Sequence, residues 1–128
     1  MFDFDIIKEA ACDAGFAIAK ENSRSVAVEL AKGYVLVFDN GDEEDGILYF
    51  CDGGSWHSHG DLFAIQYKTD VELAPAFMLR DLKKGILLIS KHMFQNGQIE
   101  ISLVFGAQIG DVNYYLDGGE EILFKKLA

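Results

Sequence analysis

The clearest chemical signal in the sequence is a pair of histidines followed by an aspartate, within the segment 53–61. Side chains alternate across an extended strand, so His57, His59 and Asp61 share one face if this segment is extended. Two imidazoles and one carboxylate suit zinc or non-haem iron, and His92 would supply a third imidazole from a distant part of the chain. The pattern predicts zinc at these residues as one alternative; in the other, the protein holds no cofactor.

The second interpretation of this segment is a loop between strands, because glycines flank the only tryptophan of the chain. In this interpretation Trp56 caps the core and the histidines lie at its rim. An ordered glycine-rich turn needs a large anchor, so we expect Trp56 to be at least half buried. An exposed Trp56 would instead be typical of a binding hot spot, which makes it a candidate partner-binding residue.

The densest charge in the chain is a run of five carboxylates, namely Asp39, Asp42, Glu43, Glu44 and Asp45. Burying them unpaired would be very costly, so we expect a surface loop that folding does not depend on. Two interpretations stay open: a plainly solvated loop, or a landing surface for a basic protein. The calcium-loop spacing fails, because Gly41 and Glu44 occupy positions that need an oxygen ligand and a glycine.

The overall charge of the chain is also acidic, which bears on the kind of partner it can bind. The chain has 128 residues and a formal net charge of -10. Residues 1–64 hold 13 acidic and 4 basic residues, so nearly all of the excess lies in this half. A nucleic-acid binder held by phosphate contacts needs a basic face, so we expect no nucleic-acid partner.

No common catalytic template is present: the sequence has no GxSxG elbow, no P-loop and no GxGxxG. We therefore lean toward a protein without enzymatic activity. The question stays open, because a metal-dependent hydrolase built on His57, His59 and Asp61 is the alternative.

Two cysteines are too few for the disulfide framework of a small secreted domain. The acidic first residues do not resemble a signal peptide, and no apolar run is long enough to span a bilayer. We expect a cytoplasmic protein with reduced thiols and no membrane partner. Cys51 lies in an apolar run and is expected to be buried, while Cys12 lies near the end of a helix.

Hydrophobic periodicity and turn residues predict the helices and strands that position these side chains. The spacing predicts a helix over Asp3–Ala14, with Asp3 as its N-cap and Gly15 as its stop. The next segment reads as two strands around a turn at 21–23, or alternatively as a second helix over Ala17–Ala31. Alternating or β-rich patterns predict further strands over Tyr34–Asp39, Gly46–Asp52, Leu62–Thr69, Ile86–Met93, Gln98–Phe105, Val112–Leu116 and Ile122–Leu127. A second helix is predicted over Pro75–Lys84, ended by Gly85.

Strands joined mostly by short turns predict a single α+β domain over residues 1–128, mainly antiparallel, built from a meander and hairpins. In such a meander, loops 40–45 and 53–61 lie at opposite ends of their shared strand. A small partner would therefore meet only one of them. We expect the acidic loop to dominate, because carboxylates steer a basic partner and the histidine loop offers little charge at neutral pH.

In size, acidity, α+β pattern and lack of catalytic motifs, the chain resembles the small acidic immunity proteins of bacterial polymorphic and contact-dependent toxin systems. The glycine-rich turn carrying Trp56-His57-Ser58-His59-Gly60-Asp61 is similar to segments in such proteins. The resemblance implies an inhibitor that occludes the active surface of a cognate toxin. Many such toxins are basic nucleases, so an acidic patch would mimic a phosphate backbone.

Overall fold

The computed structural model describes residues 1–42, 44–51, 56–108, 121–125 and 127. In this part of the chain, three α-helices accompany a five-stranded and a three-stranded antiparallel sheet, which confirms the predicted α+β class. The helices are α1 (Phe4–Ala14), α2 (Gly60–Tyr67) and α3 (Ala74–Lys84). The strands are β1 (Ala17–Glu21), β2 (Ser25–Ala31), β3 (Tyr34–Asp39), β4 (Ile47–Phe50), β5 (His57–His59), β6 (Leu87–Met93), β7 (Ile99–Phe105) and β8 (Glu121–Lys125).

Helix α1 begins and ends at the residues that the sequence predicts. The Asp3 carboxylate accepts hydrogen bonds from the backbone N–H groups of Asp5 and Ile6 at 3.0 and 3.3 Å, which satisfies donors that a helix start leaves unpaired. Gly15 ends the helix in the left-handed region, with φ of 82°, where a residue without a side chain is least strained. Ile7 and Ala11 are fully buried on the inner face of α1.

The first sheet has the strand order β1-β2-β3-β4-β5, with every neighbouring pair antiparallel. The alternative helix over Ala17–Ala31 is therefore wrong. The Asn22 side chain closes the turn before β2 by accepting from the backbone of Arg24 and Ser25 at 2.8 and 2.9 Å. The β-branched side chains of Val26 and Val28 are fully buried in β2, where they pack better than in a helix.

The predicted strand over Leu62–Thr69 is also wrong, because this segment forms most of α2. A strand would place Phe63, Ile65 and Tyr67 on one face. Instead Ile65 is 73% exposed, whereas Phe63 is buried. The Tyr67 ring stacks on Phe77 of α3 at 5.6 Å, and the Tyr67 hydroxyl donates to Asp81 at 2.8 Å. These tertiary contacts decide the conformation of a run whose apolar residues fit either period.

Helix α3 and the second sheet complete the described fold. Pro75 stands in the first turn of α3 and Gly85 ends the helix at φ of 77°, as predicted. Strands β6 and β7 form the predicted hairpin. The predicted strand Ile122–Leu127 corresponds to β8, which pairs with β6, whereas its proposed partner Val112–Leu116 lies outside the described residues.

The core lies between the helices and the inner faces of the two sheets, with Phe38, Leu48, Met78 and Leu82 fully buried. Cys51 lies just beyond β4 and is exposed, as is Cys12. The expected burial of Cys51 is wrong, because alternation places Phe50 on the core side and the next residue outside. No helix in the described part of the chain is long and apolar enough to cross a membrane.

Candidate functional site

The acidic loop, residues 40–46, joins β3 to β4 and is tied to the amino terminus of the chain. The Asn40 side chain accepts from the Phe2 N–H at 2.7 Å and donates to the Phe2 carbonyl at 3.1 Å. The terminal ammonium of Met1 donates to the backbone carbonyl of Glu44. These contacts hold the loop in place from a segment 38 or more residues away in sequence.

The Phe2 ring then fixes the loop against the start of α2. It packs edge-on to Phe38 at 5.4 Å and fills the space beside two glycines. A Cβ at Gly46 would lie 2.5 Å from this ring, and one at Gly60 would lie 2.8 Å from it and would also collide with the carbonyl of Asp45. The Gly60 N–H donates to the Gly46 carbonyl at 3.1 Å, so a backbone hydrogen bond also joins the acidic loop to α2. We call this arrangement of Phe2, Gly46 and Gly60 the Phe2 clamp.

Two of the five predicted carboxylates are used inside the fold. Asp39 accepts from the Tyr49 hydroxyl at 3.4 Å, and burial, followed by the Asp39 charge, raises the pKa of that phenol. The other oxygen of Asp39 is buried with no hydrogen-bond partner among the described residues. Asp45 lies within hydrogen-bond distance of His59, with 3.1 Å between Oδ2 and Nδ1.

The exposed carboxylates of the loop are therefore Asp42 and Glu44; Glu43 lies outside the described residues. Asp3, which caps α1, and Asp61, in the first turn of α2, are also exposed. We call Asp3, Asp42, Glu44 and Asp61 the acidic end. The Phe2 clamp brings their three segments together.

His59 lies beside the acidic loop and not at the far end of the strand. Strand β5 runs back along β4, with His57 opposite Tyr49 and His59 opposite Ile47. The expectation that loops 40–45 and 53–61 meet opposite ends of one strand is therefore wrong for residues 57–61. It failed because a three-residue strand returns the chain to the acidic loop.

The chain is extended only through His59, so Asp61 does not share the strand face of the two histidines. The rings of His57 and His59 are 5.6 Å apart. His92 lies on β6 with its ring stacked on Phe94. Among the described residues, no group of three or more His, Cys, Asp or Glu side chains is arranged to hold a metal ion. Zinc at His57, His59 and Asp61 stays a prediction.

Trp56 is partly buried against the core, as predicted. Its ring lies 5.8 Å from that of Phe50. It lines a cavity of about 240 Å³ together with Leu62, Phe63 and Phe105. Trp56 and helix α2 therefore line the same cavity.

Sequence reasoning missed two contributors to the site. The first is Phe2, although an apolar residue directly before an N-cap is a known signal for a contact with the fourth helical residue, here Ile7. The second is the exposed pair Leu62 and Ile65 on α2. An uninterrupted apolar run at residues 62–65 was its only signal, since one helix face cannot bury them all.

No protein-family model, curated protein or solved structure matches this chain.

Proposed function

We propose that this protein is a binding module for a basic protein partner, which it neutralises by occlusion in the manner of a small acidic immunity protein. The observation that supports this most is the clamped acidic loop. Phe2, Gly46 and Gly60 hold the loop at several points, while Asp42 and Glu44 are left exposed. These contacts hold the backbone that carries the exposed carboxylates in a defined position.

Fixed charges suit recognition for a physical reason. A partner that meets preorganised carboxylates loses less conformational freedom than one that must order a mobile loop. The acidic field also raises the association rate and orients a cationic surface before contact. A nucleic acid would be repelled by the same field, so the proposed partner is a protein.

The predicted binding residues divide into two roles under this proposal. Asp42 and Glu44 contact the partner, and Glu43, which belongs to the same loop, is assigned to the same role. Asp39 and Asp45 support the loop from inside, through Tyr49 and His59.

The protein encoded next to this chain is the first partner to test, because inhibitors and their targets are expected to be made together. The two proteins are co-expressed, purified, and analysed by size exclusion with light scattering. The proposal predicts a one-to-one complex at low ionic strength that weakens as salt rises. A basic neighbouring protein that forms no complex would overturn the immunity-type function.

The zinc alternative has its own control. The protein is purified without a histidine tag and without chelator, and its metal content is compared with that of His57→Ala/His59→Ala. The binding-module proposal predicts no stoichiometric metal in either protein. Stoichiometric zinc that is lost in the double variant would favour a metal protein.

A further inference from the structure

Helix α2 presents an apolar side to solvent. Leu62 is 55% exposed and Ile65 is 73% exposed, the highest value among the large apolar side chains of the described residues. The two residues lie one helical turn apart, so they form a single stripe. Exposed apolar side chains that lie next to each other are a candidate contact surface, whereas isolated ones are ordinary.

The stripe borders an open cavity. Leu62 lines the cavity of about 240 Å³ whose other walls include Trp56, Phe63, Leu103 and Phe105. Two polar residues, Ser58 and Gln66, also lie at its boundary. A concave site walled by aromatic and aliphatic side chains, with polar groups at its boundary, can take one large apolar side chain of a ligand that also offers polar groups.

The cavity and the stripe lie directly beside the acidic end. Gly60 is bonded to the acidic loop, Asp61 stands in the first turn of α2, and Leu62 follows directly. Along a helix, Ile65 lies only about 6 Å beyond Asp61. The opposite end of α2 carries the exposed cation Lys68, so the charge changes from acidic to basic along the helix.

We propose that α2 and the acidic end form one docking surface for a basic segment of a protein partner that carries a large apolar anchor residue. The anchor enters the cavity beside Trp56 and Leu62, and lysine or arginine side chains extend toward Asp61 and Glu44. This inference rests on the proposed function and specifies the partner's chemistry. A second copy of this chain fits less well, because a symmetric contact would bring two acidic ends together.

The test uses two synthetic peptides of about 12 residues and the fluorescence of Trp56, the only tryptophan of the chain. One peptide carries four lysines followed by two leucines. In the control peptide both leucines are serines. We expect the leucine peptide to bind about tenfold more tightly, since burying even part of one leucine is worth that much. Only this peptide should shift Trp56 emission to shorter wavelength.

Two variants locate the site. Leu62→Ser/Ile65→Ser should remove the preference for leucine while leaving lysine-dependent binding intact. The matched control, Ile99→Ser/Leu123→Ser, changes two exposed apolar residues of the second sheet and should keep the preference. Asp42→Asn/Glu44→Gln should weaken both peptides alike.

The outcomes separate this inference from the proposed function. Equal, salt-sensitive binding of both peptides would overturn the apolar site and leave the acidic binding module standing. Loss of salt-sensitive binding altogether would count against both. A leucine preference that survives in Leu62→Ser/Ile65→Ser, or a dimer of the free protein that this variant dissociates, would also overturn the assignment of α2.

Discussion

Gly60 stands where three segments of the chain meet, and no space is left there for a side chain. A Cβ there would collide with the Asp45 carbonyl and approach the Phe2 ring. We expect Gly60→Ala to lower the free energy of unfolding by at least about 2 kcal/mol, because backbone must move. Gly33→Ala is the control: its φ is 85° but no atom lies within 4 Å, so it should cost only about 1 kcal/mol. Urea denaturation compares the two, and equal losses would contradict the clamp.

The Tyr67 hydroxyl links α2 to α3 through Asp81. Burial, followed by the hydrogen bond to Asp81, raises the pKa of Tyr67 far above its usual value. The folded chain thus holds this proton to higher pH than the unfolded chain does. The resulting stability is present below pH about 10 and is lost as the pH rises above that value.

Tyr67→Phe should therefore lower the free energy of unfolding by about 1–2 kcal/mol at neutral pH. The difference from the native sequence should shrink between about pH 9 and 11, since only the native chain loses the contribution of this phenol there. Urea midpoints across this range measure it. A difference that stays constant with pH would show that the hydroxyl does not couple the two helices.

At the scale of elements, α2 ends on a strained residue. Lys68 has φ of 54° and is the only non-glycine residue with positive φ in the described part of the chain. Lys68→Gly should stabilise the protein by about 0.5–1 kcal/mol, because relief of strain exceeds the added freedom of the unfolded chain. Lys68→Ala removes the same charge but keeps the strain, so its melting temperature should not rise. Equal gains in both would point to charge as the cause.

The elements also show what the sequence can and cannot predict. Helix α1 was predictable because Asp3 and Gly15 are local signals, and the local chain supplies both caps. Helix α2 was not, because Leu62–Ile65 is apolar at every position and distant aromatic rings of α3 and β7 select the helix. The clamp at Phe2 was equally hidden, since its partners Asn40, Gly46 and Gly60 come from two other parts of the chain.

At the scale of the molecule, the sequence predicted the α+β class and the negative charge, but not which residues lie together on the surface. The sequence pattern predicted an antiparallel meander and hairpins but not their division into two sheets, in which β8 pairs with β6 across a long connection. In the first sheet, the pairing of β5 with β4 places His59 beside the acidic loop. The candidate surface therefore combines charges that the sequence revealed with an apolar helix face that it did not.

If the acidic end steers a basic protein partner, as we propose, the association rate measures this most directly. Stopped-flow mixing with the neighbouring gene product compares the native chain, Asp42→Asn/Glu44→Gln, and the matched control Glu9→Gln/Asp13→Asn, which removes two charges from exposed positions of α1. We predict that the loop variant associates about tenfold more slowly at low ionic strength and shows a flatter dependence on salt, while the control changes little. Equal rates for the two variants, or a rate that salt does not affect, would contradict the account.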